Sequence, residues 1–174
     1  MSTVFSDDRR YRYRLERQVC LLSEGLVQFI MLNPSTADET ADDPTIRRCI
    51  DFTRRWGFGR LVVCNLFPYR ATDPRELRRE HCDALALNSG DPVWLEQRRN
   101  WKHIEFAANE ADRIVVAWGT HGEILNAGDV YRRRLTEAGY RLHVLGMTKD
   151  GQPKHPLYVP AATELQPCPP TVDG

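Results

Sequence analysis

The sequence predicts an α/β fold, a three-layer α/β/α sandwich with a mainly parallel four-stranded central sheet and an added N-terminal antiparallel strand. Two observations lead to this prediction. Short apolar runs rich in β-branched residues, which are typical of strands buried on both faces, alternate with segments of helical periodicity. Capping and turn residues lie between these segments, where each element is expected to begin or end. Strands that alternate with helices indicate a parallel sheet covered by helices on both faces.

The first predicted elements are two strands joined by a hairpin turn. Residues 11–22 alternate tyrosine and leucine with arginine and glutamate, which indicates a half-exposed strand. The segment Ser23-Glu24-Gly25 is expected to turn the chain into a second, apolar strand over 26–32. This hairpin would add the N-terminal strand to the sheet in the antiparallel direction.

The remaining elements follow in α/β order. A helix is predicted after Asp43, which suits the N-cap, with Pro44 at its first position and Gly57 beyond its end. Further strands are expected at 60–67, 112–119 and 141–146, and further helices at 75–87, 92–111 and 121–139. The prediction is one domain over 1–166 and a loose, Pro-rich tail over 167–174.

The composition is that of a soluble globular domain. The 174 residues are 41% apolar and 28% charged, with a formal net charge of zero. No stretch has the ~20 apolar residues of a membrane span, and charges occupy the start of the chain, where a signal peptide would be apolar. We therefore expect a cytoplasmic protein with no membrane partner, monomeric by default.

Cysteine and arginine usage adds two weaker indications. The five cysteines are widely spaced and lack a C-x-x-C pair, which favours buried free thiols over disulfides or a metal centre. Among the 24 basic residues only Lys102, Lys149 and Lys154 are lysines. Guanidinium groups suit phosphate contacts, although high-GC coding bias produces the same excess. A nucleic-acid or nucleotide partner is permitted by this excess rather than required.

Polar side chains follow each predicted parallel strand at its carboxyl end. Because ligands of such sheets bind where the carboxyl ends meet, we expect one site there. The expected site residues are Asn33, Pro34, Ser35, Thr36, Asn65, Phe67, Tyr69, Arg70, His121, Lys154, His155 and Tyr158.

Each of these residues also has a structural interpretation. An Asn-Pro pair commonly starts a turn, and both histidines, taken singly, are ordinary surface residues. Asn65 is more informative because Asn is disfavoured in strands and an unpaired buried amide costs roughly 1–3 kcal/mol. A cap to a neighbouring loop would also satisfy Asn65. The acidic segment 38–43 is interpreted as a solvated loop, with a divalent-metal site as the alternative.

The motifs, in this order, resemble the uracil-DNA glycosylase superfamily, especially its single-strand-selective and mismatch-specific branches. MLNPS at 31–35 is similar to the G-M-N-P-G motif of those enzymes, and NLFP at 65–68 is similar to their strand that ends in Asn with Pro three residues on. VVAWG at 115–119 looks like V-x-G-V-G, and HPLY at 155–158 looks like the late H-P-S-P motif. The chain also resembles, over nearly its whole length, a bacterial family of unknown function that shares LNPSTAD, NLFPYR and WGxHG.

The glycosylase resemblance implies a uracil-DNA glycosylase-like fold and a hydrolase of an N-glycosidic bond that acts in DNA repair without a cofactor or metal. Asn33 would orient the attacking water, Asn65 would read the edge of the base, and His155 would hydrogen-bond the base as it departs with negative charge. Nucleic acid or a nucleotide would be the partner, with a base extruded from any duplex.

The sequence departs from the glycosylase pattern at three positions. Met31 and Ser35 replace the glycines of the first motif, and Leu157 replaces the serine of the last. The base and the polymer are therefore left open. Two other functions also stay open, a non-catalytic nucleotide or nucleic-acid binding module and a metal-dependent nucleotide-processing enzyme that uses the acidic loop 38–43.

Overall fold

In a computed structural model, which describes residues 2–85 and 92–170, these residues form a mixed α/β fold around a seven-stranded, mostly parallel sheet. The strands are β1 (Ser2–Phe5), β2 (Arg12–Gln18), β3 (Leu26–Met31), β4 (Arg60–Asn65), β5 (Arg113–Val116), β6 (Leu142–Val144) and β7 (Gln166–Pro167). The α-helices are α1 (Pro44–Arg55), α2 (Pro74–Leu85), α3 (Pro92–Glu110) and α4 (Ala127–Glu137). The strand order across the sheet is β1-β2-β4-β3-β5-β6-β7.

The centre of the sheet is parallel, as predicted. Strand β3 pairs in parallel with β4 on one side and with β5 on the other, and β5 pairs in parallel with β6. Strands β1, β2 and β7 run antiparallel to their neighbours at the two edges. The carboxyl ends of β3, β4, β5 and β6 therefore point the same way, which is the condition for a shared site.

Alternate side chains of the central strands enter two separate hydrophobic cores. Phe29 of β3 packs in one core with Cys49 and Phe52 of α1. Ile30, the next residue along β3, packs in the other with Ile104 of α3 and Leu135 of α4. Every residue of β3 is buried, which explains why all but Gln28 are apolar. The Gln28 side chain donates from Nε2 to the Ile104 carbonyl at 3.1 Å.

The predicted hairpin between the first two strands is wrong. Strand β2 does not pair with β3, because β4 lies between them. The connection instead crosses the amino end of β4, where the N–H groups of Val19 and Cys20 donate to the carbonyl of Gly59 and the Gly59 N–H donates to the carbonyl of Glu24. A Cβ at Gly59 would lie 1.8 Å from the Ser23 carbonyl oxygen, so only glycine fits this crossing.

The N-terminal strand is also more buried than its alternating sequence predicts. Arg12 and Arg17 are each 2% exposed. Strand β2 lies inside the sheet between β1 and β4, and the loop after β3 covers these arginines. Arg12 Nη1 donates to the Ala37 carbonyl at 2.7 Å, and Arg17 Nε donates to the Asp42 carboxylate at 2.8 Å.

The other elements differ from prediction mainly at their ends. The cap of α1 is as expected, since the Asp43 carboxylate accepts the Ile46 N–H at 2.9 Å. The predicted helix over 121–139 is instead a 3-10 helix, Thr120–Asn126, followed by α4. Leu125 and Asn126 have a φ of 55°, and this left-handed backbone breaks the helix. The last two residues of the predicted helix 75–87 lie outside the described residues.

The C-terminal tail begins within the sheet. Gln166–Pro167 forms β7 against β6, and the Cys168 N–H donates to the Leu142 carbonyl at 2.9 Å. This pairing differs from the expectation of a loose tail. Residues 171–174 of the tail lie outside the described residues.

Cys49 and Cys64 are buried free thiols, while Cys20 and Cys168 are free and partly exposed. Within the described ranges, no helix combines the length and apolar character needed to cross a membrane.

Candidate functional site

A cavity of about 590 Å³ lies at the carboxyl ends of the parallel strands. Its volume falls in the range of roughly 300–1,000 Å³ that is usual for small-molecule sites. We call it the main cavity. Of the residues predicted from the sequence, it is lined by Asn33, Ser35, Asn65, His121, Lys154, His155 and Tyr158. Side chains that are far apart in the chain are therefore brought to one place by the parallel strands.

A smaller cavity of about 370 Å³ adjoins the main cavity and contains three more of the predicted residues, Thr36, Tyr69 and Arg70. We call it the side cavity. Both cavities are lined by Ser35, Ala71 and Thr72, which form the ridge between them.

Two of the predicted residues line neither cavity. Pro34 is buried, and its carbonyl accepts the Ala71 N–H at 3.1 Å. Phe67 is buried with its ring edge-on to His81, at 4.6 Å between centroids. Both residues support the loops that carry the site.

The side-chain amide of Asn33 has a defined orientation. Its Nδ2 donates to the Ala71 carbonyl at 2.7 Å and to the Pro34 carbonyl at 3.1 Å. Two carbonyl acceptors require the NH₂ group on this side, so the flip of the amide is determined. Within residues 2–85 and 92–170, Asn33 Oδ1 has no hydrogen-bond partner. The side chain thus offers an acceptor to the main cavity.

Asn65 ends β4 and is almost fully buried, with 1% of its surface exposed. Its backbone carbonyl accepts the side-chain amide of Asn100 at 2.8 Å. Its own side-chain Nδ2 is buried and has no partner among the described residues. An unpaired buried donor is costly, so this amide is suited to a ligand that supplies an acceptor.

His155 follows the last parallel strand and is held as a neutral donor. Its Nδ1 accepts the Leu157 N–H at 3.3 Å, which places the ring proton on Nε2. Burial lowers the pKa of His155 to about 4, against the opposing effect of the Asp43 carboxylate. At neutral pH the imidazole is therefore uncharged, with Nε2–H available to donate.

The segment that carries His155 is tied to the ends of β5 and β6. The Gly119 N–H donates to the Pro153 carbonyl at 2.8 Å, and the Lys154 N–H donates to the Gly146 carbonyl at 2.9 Å. Gly119 has a φ of 76°, and a Cβ there would lie 3.3 Å from the Cβ of His155. Glycine at this position lets the segment approach the strand end closely.

Two charged residues of the main cavity were not predicted as site residues. Arg12 reaches it from β2, and Asp43 reaches it from the N-cap of α1. The alternating pattern of the N-terminal strand assigned Arg12 to the solvent face, and Asp43 was interpreted only as a cap. Burial lowers the pKa of Arg12 to about 10, so its guanidinium remains charged at neutral pH.

The acidic loop 38–43 is occupied by its own structural contacts. Asp38 accepts the N–H groups of Thr40 and Ala41, which lower its pKa to about 2. Asp42 pairs with Arg17 at 2.8 Å, and Glu39 pairs with Arg9 at 2.8 Å. In the described parts of the chain, no three His, Cys, Asp or Glu side chains are grouped so as to hold a metal ion. The carboxylates of this loop therefore act as caps and ion-pair partners.

The fold and the cavity define a mixed α/β protein with a ligand-sized site at the carboxyl ends of its parallel strands. A family model described as a protein of unknown function, DUF1643, matches residues 12–157. The chain belongs to this family, which agrees with the resemblance to a family of unknown function. No curated protein and no solved structure matches the chain. The resemblance to uracil-DNA glycosylases has no counterpart among these comparisons.

Proposed function

We propose that the chain is a hydrolase of an N-glycosidic bond in a modified nucleic acid or nucleotide, built on a three-layer arrangement like that of the uracil-DNA glycosylases. The observation that carries the proposal is the convergence of Asn33, Asn65 and His155 on one cavity of about 590 Å³. Each of these side chains presents an unused polar atom of the type that this chemistry requires.

The base would be read by Asn65. A carboxamide offers both a donor and an acceptor, which match the edge of a nucleobase. The unpaired Nδ2 of Asn65 would gain its missing partner from a carbonyl oxygen or ring nitrogen of the base. Tyr158, which is 82% exposed at the cavity rim, would provide an aromatic face for the base.

Bond cleavage would leave negative charge on the base and positive charge on the sugar. The electron pair of the C–N bond departs with the base, where the Nε2–H of neutral His155 donates to it. Water then bonds to the anomeric carbon, oriented by Asn33 Oδ1, and its proton passes to solvent or to the released base. The Asp43 carboxylate in the same cavity stabilises the cationic sugar by charge.

One observation favours a second candidate, a binding module without turnover. The amide of Asn33 is too weak a base to take a proton from water. Asp43, the carboxylate that lines the main cavity, already accepts the Ile46 N–H as the N-cap of α1. A pocket with this composition recognises a base well but activates water weakly.

Base release separates the two candidates. Wild-type protein is incubated with single- and double-stranded DNA, RNA and nucleosides that carry a panel of modified bases, and free base is measured by mass spectrometry. We expect release from at least one substrate and a loss of about 100-fold or more in Asn33→Ala, as for a lost transition-state contact, with binding retained. Asn109→Ala, an exposed amide on α3 that pairs with Tyr140, is the matched control.

The other outcomes are equally specific. A wild type that binds members of the panel without releasing any base supports the binding module. Release that occurs only with added magnesium or manganese contradicts the cofactor-free mechanism. It supports instead the metal-dependent enzyme that uses the acidic loop 38–43.

A further inference from the structure

Arg12 is a buried cation with no carboxylate ion pair in the described residues. It is 2% exposed and lines the main cavity. Its Nη1 donates to the Ala37 carbonyl at 2.7 Å, whereas its Nε is buried and has no partner among those residues. The Asp43 carboxylate in the same cavity raises the pKa of Arg12 by its charge but forms no ion pair with it. Burying a charge without a direct ion pair is expensive, so an anion that bonds Arg12 would stabilise the site.

Arg70 repeats this arrangement on the other side of the ridge. It lines the side cavity, its Nη1 donates to the Arg9 carbonyl at 3.2 Å, and its guanidinium lies 5.1 Å above the Phe5 ring. Its Nε is also buried and unpartnered within the described ranges. Arg70 is near enough to Arg12 for its charge to lower the pKa of Arg12. Two cations that repel each other are therefore held close to the same ridge.

The neighbouring arginines, unlike Arg12 and Arg70, form ion pairs with carboxylates. Arg9 pairs with Glu39 at 2.8 Å, Arg10 with Glu80 at 2.9 Å, and Arg17 with Asp42 at 2.8 Å. Carboxylates thus neutralise the arginines around Arg12 and Arg70. The carboxylates that line the two cavities are Asp43, which caps α1, and Glu76. Neither forms an ion pair with Arg12 or Arg70 in the described structure, although the charge of Asp43 acts on Arg12 and the charge of Arg70 acts on Asp38.

We propose that Arg12 and Arg70 bind a phosphate group of the ligand at the ridge between the main and side cavities, beside a base held by Asn65 and His155. Guanidinium groups match phosphate geometry and form strong charge-assisted hydrogen bonds. Ser35 and Thr72, which line both cavities, add hydroxyl donors at the ridge. The identity of the base rests on the proposed function, whereas the phosphate site depends only on the two arginines.

The ligand class that follows is a phosphorylated nucleoside, either a free nucleotide or a nucleotide within a strand. Both sources present the same phosphate chemistry to the arginines. A bare nucleoside or free base would leave both guanidinium groups without an anion and would bind more weakly.

Calorimetric titration tests the phosphate site without any need for turnover. The probes are inorganic phosphate, the common nucleosides, their 5′- and 3′-monophosphates and a short single-stranded oligonucleotide. The variants are Arg70→Gln, Arg12→Lys and the control Arg141→Gln, an exposed arginine immediately before β6. Arg70 is only half-buried, so Arg70→Gln is expected to fold. It decides the test if Arg12→Lys fails to fold.

We expect wild type to bind a monophosphate at least about tenfold more tightly than its nucleoside, which corresponds to about 1.4 kcal/mol. Arg70→Gln should remove that advantage while leaving nucleoside affinity unchanged, and Arg141→Gln should behave as wild type. Tighter binding of the oligonucleotide than of the monophosphates identifies a strand as the source, and equal binding identifies a free nucleotide.

Three results would overturn the proposal. They are no binding of inorganic phosphate at millimolar concentration, no preference for monophosphates over nucleosides, and unchanged phosphate affinity in Arg70→Gln. Failure of the hydrolase proposal looks different. In that case phosphate binding persists and depends on Arg70, but no base is released from any substrate.

Discussion

Replacing Asn65 by leucine should increase stability while removing base recognition. The side-chain Nδ2 is buried and unpartnered, a condition that costs roughly 1–3 kcal/mol. Leucine has the same number and branching of side-chain heavy atoms and no polar atoms, and the main cavity offers room for its larger volume. Asn65→Leu should therefore raise the free energy of unfolding by about 1–2 kcal/mol. For a chain of this size the midpoint of thermal unfolding rises by about 2–4 °C per kcal/mol.

Urea unfolding followed by tryptophan fluorescence measures this change as a shift in midpoint at constant slope. Asn100 provides the matched control. It is equally buried, at 0% exposure, and its Oδ1 is also unpartnered among the described residues, but its Nδ2 donates to the Asn65 carbonyl at 2.8 Å. Asn100→Leu leaves that carbonyl unpaired and should lower stability by about 1–3 kcal/mol. If Asn65→Leu proves as destabilising as Asn100→Leu, the Asn65 amide is a structural group and its role in reading a base loses its support.

Two further predictions concern the segment around His155. Because the unfolded imidazole takes up a proton near its ordinary pKa of 6.5 and the folded one only near 4, stability should fall as pH decreases from about 6.5 to 4. His155→Asn should reduce this fall, measured as urea midpoints across that pH range; an unchanged pH profile would show that the imidazole is not desolvated. Gly119→Ala should lower stability by about 1–3 kcal/mol, since φ 76° with ψ −171° is a backbone conformation that is essentially restricted to glycine, and should weaken ligand binding through its contact with His155. Gly139→Ala, also at positive φ but with open space around its Cβ, controls for backbone strain alone and should retain binding.

The parallel centre and the position of the site were predictable from local patterns. Apolar runs such as 60–67 identify strands buried on both faces, and in a parallel sheet the residues after such strands share one edge. That geometry brings Asn33, Asn65 and His155 to the main cavity. Their chemical roles stay predictions, because proximity alone does not show which bond, if any, is broken.

Arg12 could not have been found in the same way. Alternation of tyrosine and arginine indicates a strand with one solvent-exposed face. Strand β2 instead lies inside the sheet and is covered by the loop after β3. A tertiary contact, the bond from Arg12 to the Ala37 carbonyl, decides its burial. The hairpin prediction failed for a related reason. Short sequence separation favoured pairing of β2 with β3, but the chain returns through α1 and β4 occupies the position between them.

The crossing at Gly59 joins segments that are synthesised at different times. Strand β2 leaves the ribosome before β3, yet its pairing partner is β4, which is synthesised later. The connection over 19–25 is bonded to Gly59 and Arg60, so these bonds cannot form until those two residues have been made. During synthesis β2 therefore cannot pair with its neighbour in the sheet until β4 has been made, and this pairing is what brings Arg12 to the main cavity.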